Sequence, residues 1–144
     1  MVVIFEKVAD VKTPSYGTPG SAGLDFYIPD DATPGLLAVR PLESIIIPSG
    51  IKCKIPEGYC GVFLNKSSVA KLGLIVGAQV IDSDYRGEVH LHIINISDRV
   101  VILEPGQKIA QMLIMPVEHA QLVEGPVAAD TERNSGGFGS TGKF

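Results

Sequence analysis

Short hydrophobic or alternating segments, separated by turn-forming residues, follow one another along most of the 144-residue chain. Segments of this length, at a spacing of about 8–12 residues, are typical of an all-β sandwich or barrel. Turns are predicted at 29–31, 48–50, 56–58 and 105–106, where proline, glycine and aspartate gather. The predicted strands are 2–5, 24–28, 44–47, 51–55, 61–64, 88–95, 100–103 and 109–117.

The segment 88–95 has the clearest alternation in the chain. Because successive side chains of a strand point to opposite faces, Val89, Leu91 and Ile93 are expected to face a core. His90 and His92 then lie on the other face of the same strand.

One short helix is predicted at 67–72, directly after the strand 61–64. A serine at its start is suited to cap the helix, and Gly73 is suited to end it. The fold class predicted from the pattern is therefore all-β with a single short helix.

Composition and charge narrow the function classes. The chain has 16 glycines and 10 prolines, which disfavours long helices. No run approaches the roughly 20 apolar residues of a membrane span, so no membrane association is expected. A net charge of −4 argues against a protein that coats nucleic acid.

The N-terminal residues lack the basic and apolar regions of a secretory signal. We therefore expect a cytoplasmic protein, or one of the nucleus or host cytoplasm if the source is eukaryotic or viral. Cys53 and Cys60 are expected to be small, reduced residues, although a disulfide between facing strands is the alternative.

Three polar clusters are candidates for chemistry. Residues 65–68 combine a lysine and two serines at a helix start, which suits an anion but also fits an ordinary cap. Residues 81–88 place two acids, a tyrosine and an arginine in a turn, which is either structural or holds a general base. Residues 133–144 combine flexible glycines with aromatic, hydroxyl and cationic side chains, as in a loop that closes over a phosphorylated ligand with a ring.

These clusters and two further motifs resemble, in order, the five motifs of the trimeric deoxyuridine triphosphate nucleotidohydrolases (dUTPases). The matching segments are 22–26, 66–70, 77–87, 105–111 and 133–142. The third motif contains Ile-Asp-x-Asp-Tyr-Arg-Gly, and the fifth contains Gly-Gly-Phe-Gly-Ser-Thr-Gly. These two are the specific ones, and together they make a chance match very improbable.

The resemblance implies a jelly-roll-like β-barrel that assembles as a homotrimer, with each site built from all three chains. Residues 1–124 would form the barrel, and 125–144 a flexible arm that closes over a neighbouring subunit's site. The implied reaction is hydrolysis of dUTP to dUMP and diphosphate, assisted by Mg²⁺, by in-line attack of water on the α-phosphorus. This reaction keeps uracil out of DNA and supplies dUMP for thymidylate synthesis.

The same resemblance assigns roles to residues. Asp82 would orient and deprotonate the attacking water, and Asp25 would hold a water of the hydrated Mg²⁺. Tyr85 would pack on the deoxyribose and exclude a 2′-hydroxyl, while residues 79–90, as a hairpin, would read the uracil edge largely through their backbone. The phosphates would be contacted by Lys66, Ser67, Ser68 and Gln111. Arg133 would reach the γ-phosphate, and Phe138 would cover the uracil. The implied substrate-binding residues are Lys66, Ser67, Ser68, Gln79, Val80, Ile81, Tyr85, His90, Gln111, Arg133, Phe138, Gly139 and Ser140.

The sequence departs from the family pattern at a few positions. Lys66 stands where arginine is usual, and it supplies the charge without the bidentate fork. Ser68, Gln79 and Asn134 occupy positions where glycine or another small residue is common. Arg86 is expected either to support phosphate binding or to pair with a neighbouring acid.

Two alternatives remain open on the sequence. The first is a dCTP deaminase-related enzyme, a class that shares the fold but carries a glutamate where this chain has His92 and lacks the glycine-rich tail. The second is a trimeric regulator that binds dUTP without catalysis. The presence of Asp82, Tyr85 and Arg133 favours the hydrolase over both.

Overall fold

The computed structural model describes residues 1–31, 36–137 and 140. Within them the chain forms strands and one helix, and every strand pairing is antiparallel. The all-β prediction with one short helix is confirmed. The elements are β1 Ile4–Lys7, β2 Ser15–Tyr16, β3 Leu24–Tyr27, β4 Leu37–Val39, β5 Ser44–Lys54, β6 Tyr59–Asn65, α1 Ser67–Ala70, β7 Leu74–Val76, β8 Val80–Ile81, β9 Glu88–Asn95, β10 Val101–Leu103 and β11 Lys108–Pro116.

The strands form a four-stranded sheet, a five-stranded sheet and a small β10–β4 pair. The four-stranded sheet has the order β1-β5-β9-β7, and the five-stranded sheet has the order β2-β3-β11-β6-β8. Strands β2, β4, β7 and β8 are two or three residues long, and the sequence pattern did not predict them. They are too short to produce an alternation that can be recognised.

The hydrophobic core contains the inward-facing residues of these sheets. Val89, Leu91 and Ile93 of β9 are fully buried, as their alternation predicts. Phe26 and Phe63 meet edge to face with 4.8 Å between ring centroids, and both are fully buried. Edge-to-face pairs of this kind add to the stabilisation that burial alone provides.

The turn predicted at 48–50 was wrong. β5 continues through Pro48 and Gly50, and its pairing register with β9 shifts between Pro48 and Lys52. The interruption is a bulge in one long strand, and a bulge is where a strand accepts proline and glycine. Gly50 has a φ of +69°, and its N–H donates to the Glu88 carboxylate at 2.7 Å.

The predicted helix is shorter than 67–72, and its cap differs from the expectation. α1 ends at Ala70, and its N-cap residue is Lys66, which makes no side-chain cap hydrogen bond. A serine therefore does not cap the helix. Gly73 does end this region, with a φ of +85° that favours glycine.

Beyond β11, residues 117–137 form neither strand nor helix, and 118–135 are exposed. In the described part of the chain, no helix is long and apolar enough to cross a membrane. Cys53 and Cys60 are both free, as expected for reduced residues. Burial raises the pKa of the Cys53 thiol, although the charge of Arg86 opposes that effect.

Candidate active site

Asp25 and two lysines form a charged cluster, which we call the Asp25 cluster (Asp25, Lys66 and Lys108). Asp25 lies on β3 and is only 4% exposed. Its Oδ1 pairs with the Lys66 ammonium, and its Oδ2 lies 2.6 Å from the Lys108 Nζ. Each carboxylate oxygen therefore has its own cation.

The two lysines determine the charge state of this buried acid. Burial by itself raises the pKa of Asp25, but the hydrogen bonds and charges of Lys108 and Lys66 outweigh burial and lower it. The hydrogen bond to Asp25 in turn raises the pKa of Lys108. These shifts favour the carboxylate form of Asp25 and the cationic form of Lys108.

Three of the five motifs meet at this cluster. β11 lies between β3 and β6, so Gln111 is a neighbour of both strands. Its Nε2 donates to the Asn65 carbonyl at 2.9 Å. A Cβ at Gly23 would lie 2.7 Å from the Gln111 Oε1, so glycine is required there for this close approach. The segments 22–26, 66–70 and 105–111 thus form one side of the site.

The residues predicted to contact the phosphates differ in how accessible they are on this side of the site. Ser67 and Ser68 are exposed at the start of α1. Lys66 is partly buried because it is paired with Asp25, and the Gln111 amide is engaged with Asn65. The serine hydroxyls are therefore accessible, whereas the Lys66 ammonium has to leave Asp25 to reach a ligand.

The segment 79–90 is not a hairpin of two paired strands, which the resemblance implied. β8 pairs with β6 in the five-stranded sheet, whereas β9 lies between β5 and β7 in the other sheet. Residues 82–87 therefore cross from one sheet to the other. The crossing lies beside a cleft of about 200 Å³ lined by Ala78, Val80, Ile81, Asp82, Tyr85 and His90.

The Glu88 carbonyl fixes two of the side chains that line this cleft. It accepts a hydrogen bond from the Tyr85 hydroxyl at 2.9 Å and one from His90 Nδ1–H at 2.9 Å. A Cβ at Gly87 would lie 2.6 Å from the Tyr85 Cζ, so the tyrosine ring lies against the glycine backbone. Tyr85 is 41% exposed, and it presents a fixed ring face to the cleft.

Asp82 stands at the rim of this cleft and is exposed. It also borders a second cleft of about 660 Å³, whose lining includes Tyr59, Arg86 and His119. Its own carbonyl accepts a hydrogen bond from the Tyr85 N–H at 3.2 Å, which closes the turn. The carboxylate is thus positioned by a short turn and open to a ligand.

Arg86 and Gln79 use their side chains to bond the backbone near Asp82. Arg86 donates to the carbonyls of Ser83 and Tyr85, at 2.7 and 2.9 Å, and so stabilises the turn instead of pairing with an acid. Gln79 directs its Nε2 to the Val76 carbonyl at 3.2 Å. Its side chain therefore stabilises the backbone of the segment that it begins.

The described tail residues make hydrogen bonds among themselves. Arg133 and Ser140 are exposed, and the Arg133 Nε donates to the Gly136 carbonyl at 3.1 Å. Asn134 has a φ of +43°, a left-handed conformation that asparagine tolerates. Phe138 and Gly139 lie outside the described residues.

The predicted site residues thus fall into three groups: the Asp25 side, the 79–90 segment and the tail. Among the described residues, hydrogen bonds and salt bridges connect members within each group, and none joins one group to another. Among the described residues, no direct bond therefore fixes the three groups relative to one another.

Sequence reasoning missed three residues that organise it. Lys108 is a partner of Asp25, the Asn65 side chain accepts from the Val76 N–H at 2.7 Å, and Glu88 joins β9 to the β5 bulge. Each of the three lies inside a segment that the sequence singled out (105–111, 65–68 and 81–88), so these segments were the available signal. Their partners are distant in sequence, and no local pattern reveals them.

Solved structures of known proteins resemble this fold. A mutant of the Staphylococcus bacteriophage 80alpha dUTPase with dUpNHpp has a TM-score of 0.86 and 22% identity, over 98% of each chain. A mutant dUTPase from phage phi11 of S. aureus, for which coordination of a structural Mg(II) ion is described, has a TM-score of 0.75 and 19% identity over 92% of this chain and 99% of that chain. At such identities the likeness concerns the fold, and it confirms the jelly-roll-like architecture.

Sequence comparisons identify the family. A deoxyuridine 5'-triphosphate nucleotidohydrolase from Hydrogenobaculum sp. (strain Y04AAS1) is 42% identical over 136 residues, which is 92% of each chain. The protein of that name from Chlamydia pneumoniae is 41% identical over 146 aligned positions, which is 99% of each chain. The family model described as dUTPase matches residues 9–142. The chain therefore belongs to the dUTPase family.

Proposed function

We propose that this protein hydrolyses dUTP to dUMP and diphosphate. The observation that carries the proposal is the position of Asp82, an exposed carboxylate at the rim of a cleft formed by residues 78–90. The curated relatives at about 40% identity have names that state this activity. The 80alpha dUTPase, which shares the fold, was solved with the nucleotide dUpNHpp.

The reaction requires a water molecule to attack the α-phosphorus in line with the departing diphosphate. Phosphoryl-type transfer depends mainly on positioning and charge neutralisation. Asp82 is the general base of the proposal, because its carboxylate is free to accept a proton from a water beside the cleft. The turn that fixes Asp82 also fixes Tyr85. The general base and the ring that packs on the deoxyribose therefore keep the same distance and orientation.

Substrate selection is assigned to the 79–90 segment. The Tyr85 ring rests on Gly87 and its hydroxyl is bonded to the Glu88 carbonyl, and both contacts hold the ring where it would exclude a 2′-hydroxyl. A rigid backbone edge that matches uracil leaves polar groups unpaired against cytosine, at a cost of roughly 1–3 kcal/mol for each group. Gln79, Val80, Ile81 and His90 belong to this edge in the proposal.

Phosphate binding is assigned to Lys66, Ser67, Ser68 and Gln111, with Arg133 from the tail. Because Lys66 is paired with Asp25, it must turn from the carboxylate to the phosphates, and Lys108 then remains on Asp25. The proposal assigns Phe138 of the fifth motif to cover the base and Gly139 and Ser140 to substrate binding.

In this proposal Mg²⁺ binds together with the nucleotide. The described residues contain no group of three or more His, Cys, Asp or Glu side chains that would hold a resident metal. Asp25, an oxygen donor that already has two cationic partners, fits a contact through water better than direct coordination. When bound, Mg²⁺ supplies neutralisation of the triphosphate charge.

We also propose a homotrimer in which residues 125–144 reach a neighbouring subunit. Among the described residues, no bond fixes the three groups of site residues relative to one another, which leaves room for a neighbouring chain to contribute to each site. Leu122, Val123 and Val127 are more than 80% exposed in the single chain, as expected for apolar residues that a neighbour covers. The two free thiols fit a reducing compartment, and we propose a cytoplasmic location.

The test is diphosphate release from dUTP, dCTP, dTTP and UTP by the purified full-length protein, with Mg²⁺ and with EDTA. We expect turnover of dUTP in strong preference to the other three, and loss of most activity in EDTA. Ammonia release from dCTP would support the deaminase alternative. Tight dUTP binding without diphosphate release would support the regulator and overturn the proposal.

A further inference from the structure

His92 lies opposite Gly77 where the chain enters the 79–90 segment. The β7–β9 register pairs Val76 with Ile93, and the next residues in each direction are Gly77 and His92. The Gly77 N–H donates to the His92 carbonyl at 2.8 Å, so the pairing extends one residue beyond β7. The two residues are therefore cross-strand neighbours.

The histidine ring occupies the space that a side chain at residue 77 would need. A Cβ at Gly77 would lie 2.8 Å from both Cγ and Cε1 of His92, and closer still to Nδ1. Gly77 does not have a positive φ, so its backbone does not require glycine. Glycine is required because the His92 ring lies so close to residue 77. Such an aromatic side chain over a cross-strand glycine stabilises a strand that glycine alone would weaken.

A hydrogen bond carries this contact one residue further. The Ala78 N–H donates to the His92 Nδ1 at 3.4 Å, which is long but within bonding distance. The bond requires a lone pair on Nδ1, so the ring proton lies on Nε2. Ala78 lines the 200 Å³ cleft, and the next residue, Gln79, is fixed from the other side because its carbonyl accepts the Phe63 N–H at 2.8 Å.

We propose that His92 is a positioning residue for recognition of the substrate base. The inference rests on the proposed function, since it assigns His92 the task of fixing the backbone that reads the base. His92 itself lies outside the cleft lining, and it acts through Gly77 and Ala78. β6 and His92 thus hold the entry to the 79–90 segment from opposite sides.

The first experiment compares His92→Phe, His92→Ala and Ile94→Ala with the wild type. His92→Phe keeps a ring over Gly77 but removes the acceptor of the Ala78 N–H. We expect KM for dUTP to rise about fivefold, the factor that corresponds to one ordinary hydrogen bond, with little change in kcat. His92→Ala also removes the ring and should raise KM further while narrowing the preference for dUTP over dCTP.

Ile94→Ala is the matched control. Ile94 lies two residues along the same face of β9, is similarly half-buried, and pairs with Ile75 away from the cleft. If this face of β9 had only a structural role, all three variants would lose stability and the KM for dUTP would be unchanged in each. The inference predicts a lower melting temperature for Ile94→Ala with an unchanged KM.

A second pair of variants tests the contact with Gly77. Gly77→Ala should raise KM, because the new methyl group displaces the His92 ring. The double variant with His92→Ala should recover part of the loss caused by Gly77→Ala, since the space is then free. Independent effects of the two substitutions would contradict the proposed contact.

Hydrogen exchange gives a readout that does not depend on catalysis. In His92→Phe the Ala78 amide should exchange faster, while the Gly77 amide, which bonds to a backbone carbonyl, should stay protected. If the wild type fails to turn over dUTP, the proposed function fails, and exchange still tests the positioning contact. Unchanged exchange at Ala78, or an unchanged KM in both His92 variants of an active enzyme, would overturn the inference.

Discussion

Single residues set the charge pattern of the site. Asp25 is buried with a cation on each oxygen, whereas Asp82 is exposed and makes no salt bridge among the described residues. Two carboxylates of the same site therefore have opposite environments. The partners of Asp25 favour its ionised form, whereas Asp82 is open to solvent, as a general base that acts on water must be.

The ionisation of Asp25 links stability to acid pH. Because its pKa in the folded protein is lowered from the ordinary value of 3.8, the carboxylate stabilises the fold above that value. That contribution is lost as pH falls from near 3.8 through the lower folded pKa. Urea unfolding across this window should show a shallower loss of stability for Asp25→Asn than for the wild type. Asp130→Asn, in the exposed tail, should retain the wild-type slope, and equal slopes for all three proteins would contradict the role of Asp25.

Asp82 is tested by removing its basicity while keeping its shape. Asp82→Asn should lower kcat by roughly 10²–10⁴, the usual contribution of general base catalysis. The matched control is Asp84→Asn, because Asp84 is exposed in the same turn two residues away. Diphosphate release under saturating dUTP measures both. Near-normal turnover by Asp82→Asn, or an equal loss in Asp84→Asn, would move the base elsewhere.

At the scale of elements, alternation in the sequence predicted the long strands but not how they connect. Val89, Leu91 and Ile93 alternate clearly, and β9 forms as expected. Pro48 and Gly50 signal a turn locally, yet β5 continues through them because Glu88, 38 residues from Gly50, supplies the acceptor for the bulge. Local signals therefore fail where a contact distant in sequence satisfies the backbone.

The difference between local signals and contacts distant in sequence also explains which parts of the site could be predicted. The motifs located Asp82, Tyr85 and Lys66 by resemblance, because their chemistry is carried by local sequence. The partnership of Lys108 with Asp25 depends on adjacent strands whose register no local pattern fixes. The fact that β8 and β9 belong to different sheets is likewise a property of the folded chain.

The tail is the element whose removal separates folding from function. The described residues within 134–144 belong to no strand and are exposed apart from the half-buried Gly136, so deletion of 134–144 should leave thermal unfolding nearly unchanged. We expect kcat to fall by ~10-fold or more, since the substrate loses its cover and its alignment. Circular dichroism melting and diphosphate release measure the two effects. A truncated protein with the wild-type rate would show that the tail has no part in catalysis.

At the scale of the whole molecule, the Asp25 side, the 79–90 segment and the tail have to meet around one substrate. In a closed ring of three identical chains, the same surfaces meet at every junction, so residues distant in one chain are brought together three times. Light scattering should therefore give a mass of about three times 15.3 kDa for the full-length protein. A monomer that hydrolyses dUTP at the full rate would contradict the shared site.

Sharing of sites between chains has a sharper test in mixed trimers. Lys66→Met and Asp82→Asn should each be nearly inactive alone, because one lacks a phosphate contact and the other lacks the base. If Lys66 and Asp82 of one site come from different chains, co-expression of the two variants in equal amounts should restore about a quarter of the sites, since random assembly joins two intact surfaces at that frequency. Distinct affinity tags verify that mixed trimers form. If both residues of a site come from the same chain, every mixed trimer is as inactive as its parents, because each chain carries one of the two defects.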